Sequence, residues 1–416
     1  MRTMLPVCAV VIALTGPCTS RPAEASTGGR PIVSFSPSKN AAVIADAARV
    51  APIFVDAGDW PGVLRAAGDL QADVERVTGR RPRLVPGAAP SGDAAIIVGT
   101  IGRSRLIDRL IARRKIDVSR VRGRWESYLI QAVNAPLPGV ARALVIAGSD
   151  KRGTIFGVYE LSEQIGVSPW YWWADVPPAR HDALFVPAGT RVVDAPVVRY
   201  RGIFINDEAP SFSGWAQKKF GGANHRMYRH VFELILRLRG NYLWPAMWLP
   251  RAFADDDPEN ARLADEYGVV IGTTHHEPLM RAHDEWWRYG KGPWDYSKND
   301  AVLRGDGDAA ISEETNVALL ERIVGDQRQI LSEVLKRPLT GIPQLWALYK
   351  EVQGYYERGK RVPDDVTLLW CTASSITARP SASSPNGGIS SGAPSPSNPR
   401  CRRAIAMRSI NWCSTR

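Results

Sequence analysis

Three short stretches carry the side chains that could do chemistry. Asn206, Asp207 and Glu208 follow one apolar run, Trp244 and Trp248 follow a second, and His275, His276 and Glu277 follow a third. Asp207 and Glu208 are adjacent, and neighbours on a strand point to opposite faces. Only one of them easily faces a shared centre, and a capping or ion-paired role would explain the pair as well. Glu277 ends a different run, so it can face a carboxylate of the first stretch across a common space. Two carboxyl groups opposed in this way are what glycoside hydrolysis requires. One protonates the departing oxygen while the other activates water or attacks.

The histidines raise the question of a metal. Their spacing is not His-Glu-x-x-His, and residues 19–370 contain no cysteine, so no metal site is expected. There is no GxGxxG and no GxxxxGK[ST], so no dinucleotide or other cofactor is expected either. His275 and His276 beside carboxylates suit recognition of hydroxyls or of a sugar acid, and Arg281 could supply charge for a carboxylate ligand. Asn206 and Asn241 are candidates to hydrogen-bond hydroxyls. Trp244 and Trp248 are candidate stacking faces, because flat aromatic rings pack on the C–H faces of sugars. Ordinary core packing accounts for tryptophan too. Arg304-Gly-Asp-Gly-Asp308 adds two carboxylates on a glycine-rich loop, which a solvated turn also explains. Gly-x-Ser-x-Gly is absent, which excludes that route to acyl hydrolysis.

These residues need strands to hold them. Val197 to Ile205, Gly240 to Trp244 and Val269 to Thr274 read as strands, separated by helices over about Met227–Arg239 and Glu259–Tyr267. Pro258 starts the second helix and Gly268 ends it. Functional side chains at the C-terminal end of each strand are the pattern of a (β/α) barrel. Upstream, Ile53–Val55, Ala94–Val98, Tyr128–Val133 and Ala143–Ala147 read as strands. Leu64, Ala67, Leu70, Val74 and Val77 recur at helical spacing before Gly79, and Lys151 to Ile165 reads as a helix closing on Gly166. The expected fold class is therefore α/β. An N-terminal α/β domain over 51–190 precedes an incomplete TIM-like (β/α) barrel over 197–370. Pro169-Trp-Tyr-Trp-Trp173 between them reads as a packed junction sooner than a sugar platform.

Composition narrows the function classes. The chain has 416 residues and a net charge of +11, but six arginines and no acid fall in residues 371–416. A nucleic-acid binder would carry its basic stripe on a folded domain, so no nucleic-acid partner is expected. Arg2, the apolar stretch from Met4 to Leu14 and Ala23-Glu-Ala25 form a secretory signal over 1–25, with cleavage after Ala25 and a secreted or periplasmic destination. No membrane partner beyond export is expected. Residues 26–50 read as a polar arm.

Several long motifs resemble glycoside hydrolase family 115, the xylan α-1,2-glucuronidases. They are Arg201-Gly-Ile-Phe-Ile-Asn-Asp-Glu-Ala-Pro210, Lys219-Phe-Gly-Gly-Ala-Asn-His225, Gly240-Asn-Tyr-Leu-Trp-Pro-Ala-Met-Trp248, Asp265-Glu-Tyr-Gly268 and His275-His-Glu-Pro278. Leu320-Glu-Arg-Ile-Val324 and Trp346-Ala-Leu-Tyr-Lys-Glu-Val352 match as well. The resemblance covers about 50–370. It implies an exported enzyme that removes (4-O-methyl)-glucuronic acid from glucuronoxylan or aldouronic acids with inversion. It leaves a homo-oligomer open for full-length members.

The sequence departs from that family pattern twice. Between Tyr296-Ser-Lys-Asn299 and Arg304-Gly-Asp-Gly-Asp308 the family carries a helix and a strand, and here only four residues stand. After Val366-Thr-Leu-Leu-Trp370 the family continues into an Asp-Asp-Asn-type motif. Here Cys371 opens 46 residues with 11 Ser, 5 Pro and 6 Arg but no acid and no Lys, the composition of a GC-rich gene read out of frame. The expectation is a truncated chain, frameshifted near codon 370 and inactive as written. The alternative is a non-catalytic carbohydrate-binding remnant.

Overall fold

The computed structural model describes residues 31–205, 210–246, 250–272, 283–292, 316–348, 356, 361–370 and 405–410. The signal segment and most of the tail lie outside these residues. In chain order the first half contains β1 (Ala42–Ala45), β2 (Ile53–Val55), α1 (Pro61–Thr78), β3 (Leu84–Pro86), β4 (Gly92–Thr100) and α2 (Arg105–Ala112). It continues with β5 (Tyr128–Asn134), β6 (Val140–Gly148), α3 (Lys151–Gln164), β7 (Leu184–Val186) and β8 (Arg191–Asp194).

Six of these strands form one sheet in the order β3-β2-β4-β6-β5-β8, and β5 runs antiparallel to both its neighbours. Alternate residues explain its two buried faces. Ile53, Val55, Ile96, Val98, Leu144 and Ile146 face α1 and α3, whereas Phe54, Ile97, Val145 and Ala147 face α2. Helix α1 follows from its sequence. Pro61 occupies the first turn, where no donor is needed, and Val63, Ala66, Ala67, Leu70, Val74 and Val77 form its buried stripe. Gly79 at φ 72° ends it in the left-handed region.

The expected polar arm is not one. Ile32, Val33, Ala42 and Ile44 are buried, and β1 pairs antiparallel with β7 at Ala42↔Val186. Short apolar residues spaced among Ser and Asn disguise this strand in the sequence. The domain also runs past 190, because β8 pairs with β5 through Tyr128↔Asp194.

The second half contains β9 (Tyr200–Ile205), α4 (Ser211–Phe220), α5 (His225–Arg237), β10 (Tyr242–Trp244), α6 (Phe253–Asp256), α7 (Pro258–Tyr267), β11 (Val270–Ile271) and α8 (His283–Tyr289). It ends with α9 (Asn316–Leu335), β12 (Gln344–Leu348), β13 (Val366–Trp370) and β14 (Ile405–Ile410). The six strands form a parallel sheet in the order β11-β10-β9-β14-β13-β12. Strand β14 belongs to the tail expected to be low-complexity, yet it pairs with β9 over its whole length, from Ile405↔Tyr200 to Ile410↔Ile205. Ile203, Ile205 and Leu243 join the core beneath the helices. Tyr200, Phe204, Tyr242 and Trp244 form the opposite layer, which also takes Val270 from one edge strand and Leu345 from the other.

The two halves share one core. The cluster around α1 and α3 runs without a break into Met227, Val231, Phe232 and Ile235 of α5 and Ala264 and Tyr267 of α7. The backbones approach closely, since a Cβ on Gly62 would lie 2.2 Å from the Glu266 carbonyl oxygen. The aromatic run behaves as the expected junction. Trp172 stacks on His230 at 4.0 Å, Trp173 lies 5.6 Å from Trp215, and the Tyr171 hydroxyl meets Glu233 at 3.0 Å.

Candidate active site at the strand ends

Strands β9, β10 and β11 lie side by side and parallel, with Tyr242 opposite both Gly202 and Val270. Their C-terminal ends therefore share one edge. Asn206-Asp207-Glu208 leave that edge directly after Ile205, Trp248 follows β10, and His275-His276-Glu277 with Arg281 follow β11. In the sequence, each of the three stretches thus follows the C-terminal end of one of these strands. Asn206, Asp207, Glu208, Trp248, His275, His276, Glu277 and Arg281 themselves lie outside the described residues.

Two predicted residues are described. Asn241 is a correction. It precedes β10, at the sheet edge opposite the strand ends, and it is fully buried. Its Nδ2 donates to Glu126 Oε1 at 2.6 Å and to the Arg199 carbonyl at 2.7 Å, and its Oδ1 accepts from the Arg201 N–H at 2.9 Å. The amide fastens the two halves together and is not presented to a sugar hydroxyl. Trp244 does end β10, but it is only 4% exposed and sits 5.3 Å from Phe204. Its ring belongs to the interior layer and is not an open platform.

Sequence reasoning missed two features near the strand-end edge. Helices α5 and α7 both start there, and their first turns are joined through His225 and Asp257. Asp257 Oδ2 lies 2.7 Å from His225 Nδ1 and accepts the His225 backbone N–H at 3.0 Å, while Oδ1 accepts from Glu259 N–H at 3.0 Å. A carboxylate only accepts, so Nδ1 carries the hydrogen and Nε2 is the acceptor nitrogen of the neutral ring. The signal was present in Asn224-His225 and Asp257-Pro258, each a cap followed by a helix start. The second feature is Arg288 on α8. It binds Asp255, Asp284, Asp256 Oδ1 at 2.8 Å and the Pro250 carbonyl at 3.1 Å. It thereby ties the loop after β10 to the helix that follows the third stretch. Among the described residues no cluster of three His, Cys, Asp or Glu could hold a metal ion, and no helix is long and apolar enough to cross a membrane.

Burial pushes the Asp257 carboxyl up, but the hydrogen bonds from His225 and Glu259 outweigh it and hold the group below its ordinary 3.8. A depressed carboxylate contributes stability above its unfolded value and loses that contribution as pH falls through the folded one. Asp257→Ala is accordingly expected to cost about 1 kcal/mol at neutral pH, as a lost helix cap. The gap to wild type should close below pH 3.8. Thermal melts of both proteins across pH 3 to 7 check this.

The model of Glycosyl hydrolase family 115 matches residues 193–303 and 301–388. A solved family 115 4-O-methyl-α-glucuronidase, described as specific for decorated arabinogalactans, superposes with a TM-score of 0.68 at 32% identity. The chain belongs to glycoside hydrolase family 115. The superposition covers 79% of this chain and 46% of the enzyme, so the family 115 chain spans about half the length of that relative. A Streptomyces plicatus β-hexosaminidase variant with bound product matches at TM-score 0.40 and 13% identity, over 80% of this chain and 63% of its own. That likeness is too remote to bear on function. Comparison with curated protein sequences returns no match.

Proposed function

We propose that this family 115 chain is built for hydrolysis of glucuronic acid side chains from a plant polysaccharide, on a TIM-like barrel to which β9–β14 contribute. The supporting observation is the parallel, in-register trio β9, β10 and β11, whose C-terminal ends share one edge; each is followed in sequence by one of the three chemistry-bearing stretches. In this reading a carboxyl of Asp207 or Glu208 and that of Glu277 flank the glycosidic bond. One protonates the leaving oxygen and the other activates water on the opposite face. Inversion needs a separation of roughly 6.5–9.5 Å to admit that water. Arg281, His275 and His276 attract the sugar carboxylate, and Trp248 covers the ring. The substrate is glucuronoxylan or its aldouronic acids. The arabinogalactan specificity of the solved relative makes a glucuronic-acid-capped arabinogalactan the second substrate to offer. The N-terminal segment directs export.

As it stands, we propose, the chain binds without completing turnover. The stretch between Asn299 and Arg304 is only four residues, where the family resemblance implies a helix and a strand. The purified chain should be retained in affinity electrophoresis on glucuronoxylan or on the capped arabinogalactan, with no free glucuronic acid released. Released glucuronic acid would overturn the non-catalytic reading. Failure of either polysaccharide to retard the chain would overturn the carbohydrate reading itself.

A further inference from the structure

A cavity of about 310 Å³ opens between the two halves, beside the N-terminal ends of β9 and β10. It lies at the opposite end of β9 and β10 from their C-terminal ends. Pro196, Val198 and Leu238 supply apolar walls, and Leu238 is 42% exposed on its own helix end. The polar lining is balanced: Glu126 and Asp194 carry negative charge, Arg201 and Arg239 positive.

The hydrogen bonds decide what such a lining can accept. Glu126 is occupied by Arg152 and Arg201, and Arg239 by Glu160 and Glu163. Asp194 is exposed. It takes one bond from the Ala195 N–H at 2.8 Å and one from the Tyr128 hydroxyl at 3.3 Å, so acceptor sites remain on its oxygens. An anion entering here would face Asp194 and would compete with Glu126 for Arg201, stranding a buried carboxylate. A neutral polyhydroxyl ligand avoids both penalties. Its hydroxyls donate to Asp194 and accept from the guanidinium edges, while its C–H surface meets Pro196, Val198 and Leu238. The volume is at the lower end of roughly 300–1,000 Å³ for small-molecule sites, which suits a single ring.

We infer that this cavity is a second carbohydrate site, which holds one neutral sugar residue away from the strand ends. The choice of a sugar rests on the polysaccharide reading above, but the site is distinct from the one that reading uses. It would let the protein grip an undecorated unit of the polymer while the acidic side chain is presented elsewhere.

The test is ligand titration of the 416-residue chain, followed by NMR line broadening of the ligand. The probes are methyl β-xylopyranoside, methyl β-galactopyranoside and glucuronic acid. At least one neutral glycoside should saturate. Leu238→Trp, which fills the cavity from its exposed rim, should weaken it by at least about tenfold, and Asp194→Asn should weaken it without altering the melting temperature. Glucuronic acid binding should be untouched by Leu238→Trp. The proposal fails if no neutral glycoside saturates, if both variants bind as wild type does, or if glucuronic acid is the probe that Leu238→Trp displaces. Loss of glucuronic acid binding alone would count against the strand-end site and leave this one standing.

Discussion

Replacing Arg237 with alanine is expected to lower the stability of the chain by about 3 kcal/mol, because buried Asp73 loses two charged hydrogen bonds and keeps only the one from Arg76. Arg237 lies on α5 and is 3% exposed; Asp73 lies on α1 and is fully buried. Two bonds join them, at 2.9 and 3.2 Å, and Arg237 Nε also meets Glu233 at 2.8 Å. Burial works to discharge the guanidinium, but Asp73, Tyr159 and Glu233 more than offset it and hold it charged. Urea unfolding followed by tryptophan fluorescence reads the loss as a lower midpoint. The double variant Asp73→Leu with Arg237→Met should lose less than Arg237→Ala alone, because it removes Asp73 together with its partner and leaves Glu233 its bond from the Tyr171 hydroxyl. Equal losses would mean that the pair contributes nothing beyond packing.

A loss of similar size, about 3–5 kcal/mol, is expected for Glu126→Leu. Glu126 is 1% exposed and joins both halves. It accepts from Arg152 at 2.5 Å on its own side, and from Arg201 at 2.7 Å and Asn241 at 2.6 Å on the other. Leucine would take one acceptor from each of two guanidinium groups and from the buried Asn241 amide, leaving them only backbone carbonyls. Glu126→Gln keeps the shape and one acceptor oxygen, so it should recover part of the loss. Thermal melts of the three proteins rank them, and a Glu126→Gln melt no better than Glu126→Leu would refute the hydrogen-bond account.

Much of this fold was legible because its signals are local. The stripe on α1, its Gly79 stop and the Pro258 start of α7 all depend on residues within a few positions of one another. The runs Val197–Ile205 and Gly240–Trp244, which contain β9 and β10, were equally plain as strands. What escaped were elements defined by distant partners. Strand β1 is short and is fixed by β7, some 140 residues away, and α4 has no strong apolar stripe before its neighbours bury Phe212 and Ala216. Strand β12 read only as part of a family motif. For the site, the sequence placed the strand ends but could not rank the polar residues around them. Asn241 and Asn206 look alike in the sequence. Only the strand direction shows that Asn241 stands at the far end, and only Glu126, more than a hundred residues earlier, explains why an amide is needed there.

The continuous core around α1, α3, α5 and α7 also bears on how such chains can be recombined. A module that shuffles among proteins must bring its own interior with it. Here the wall supporting α5 and α7 of the second half is supplied by α1 and α3. A graft beginning at Tyr200 would arrive with Arg237 lacking Asp73 and Tyr267 lacking Arg65, and so would need either its native forerunner or a rebuilt surface. The heritable piece is therefore the pair of halves, and the short connector at 195–199 acts as an internal turn of one body and not as a joint between two.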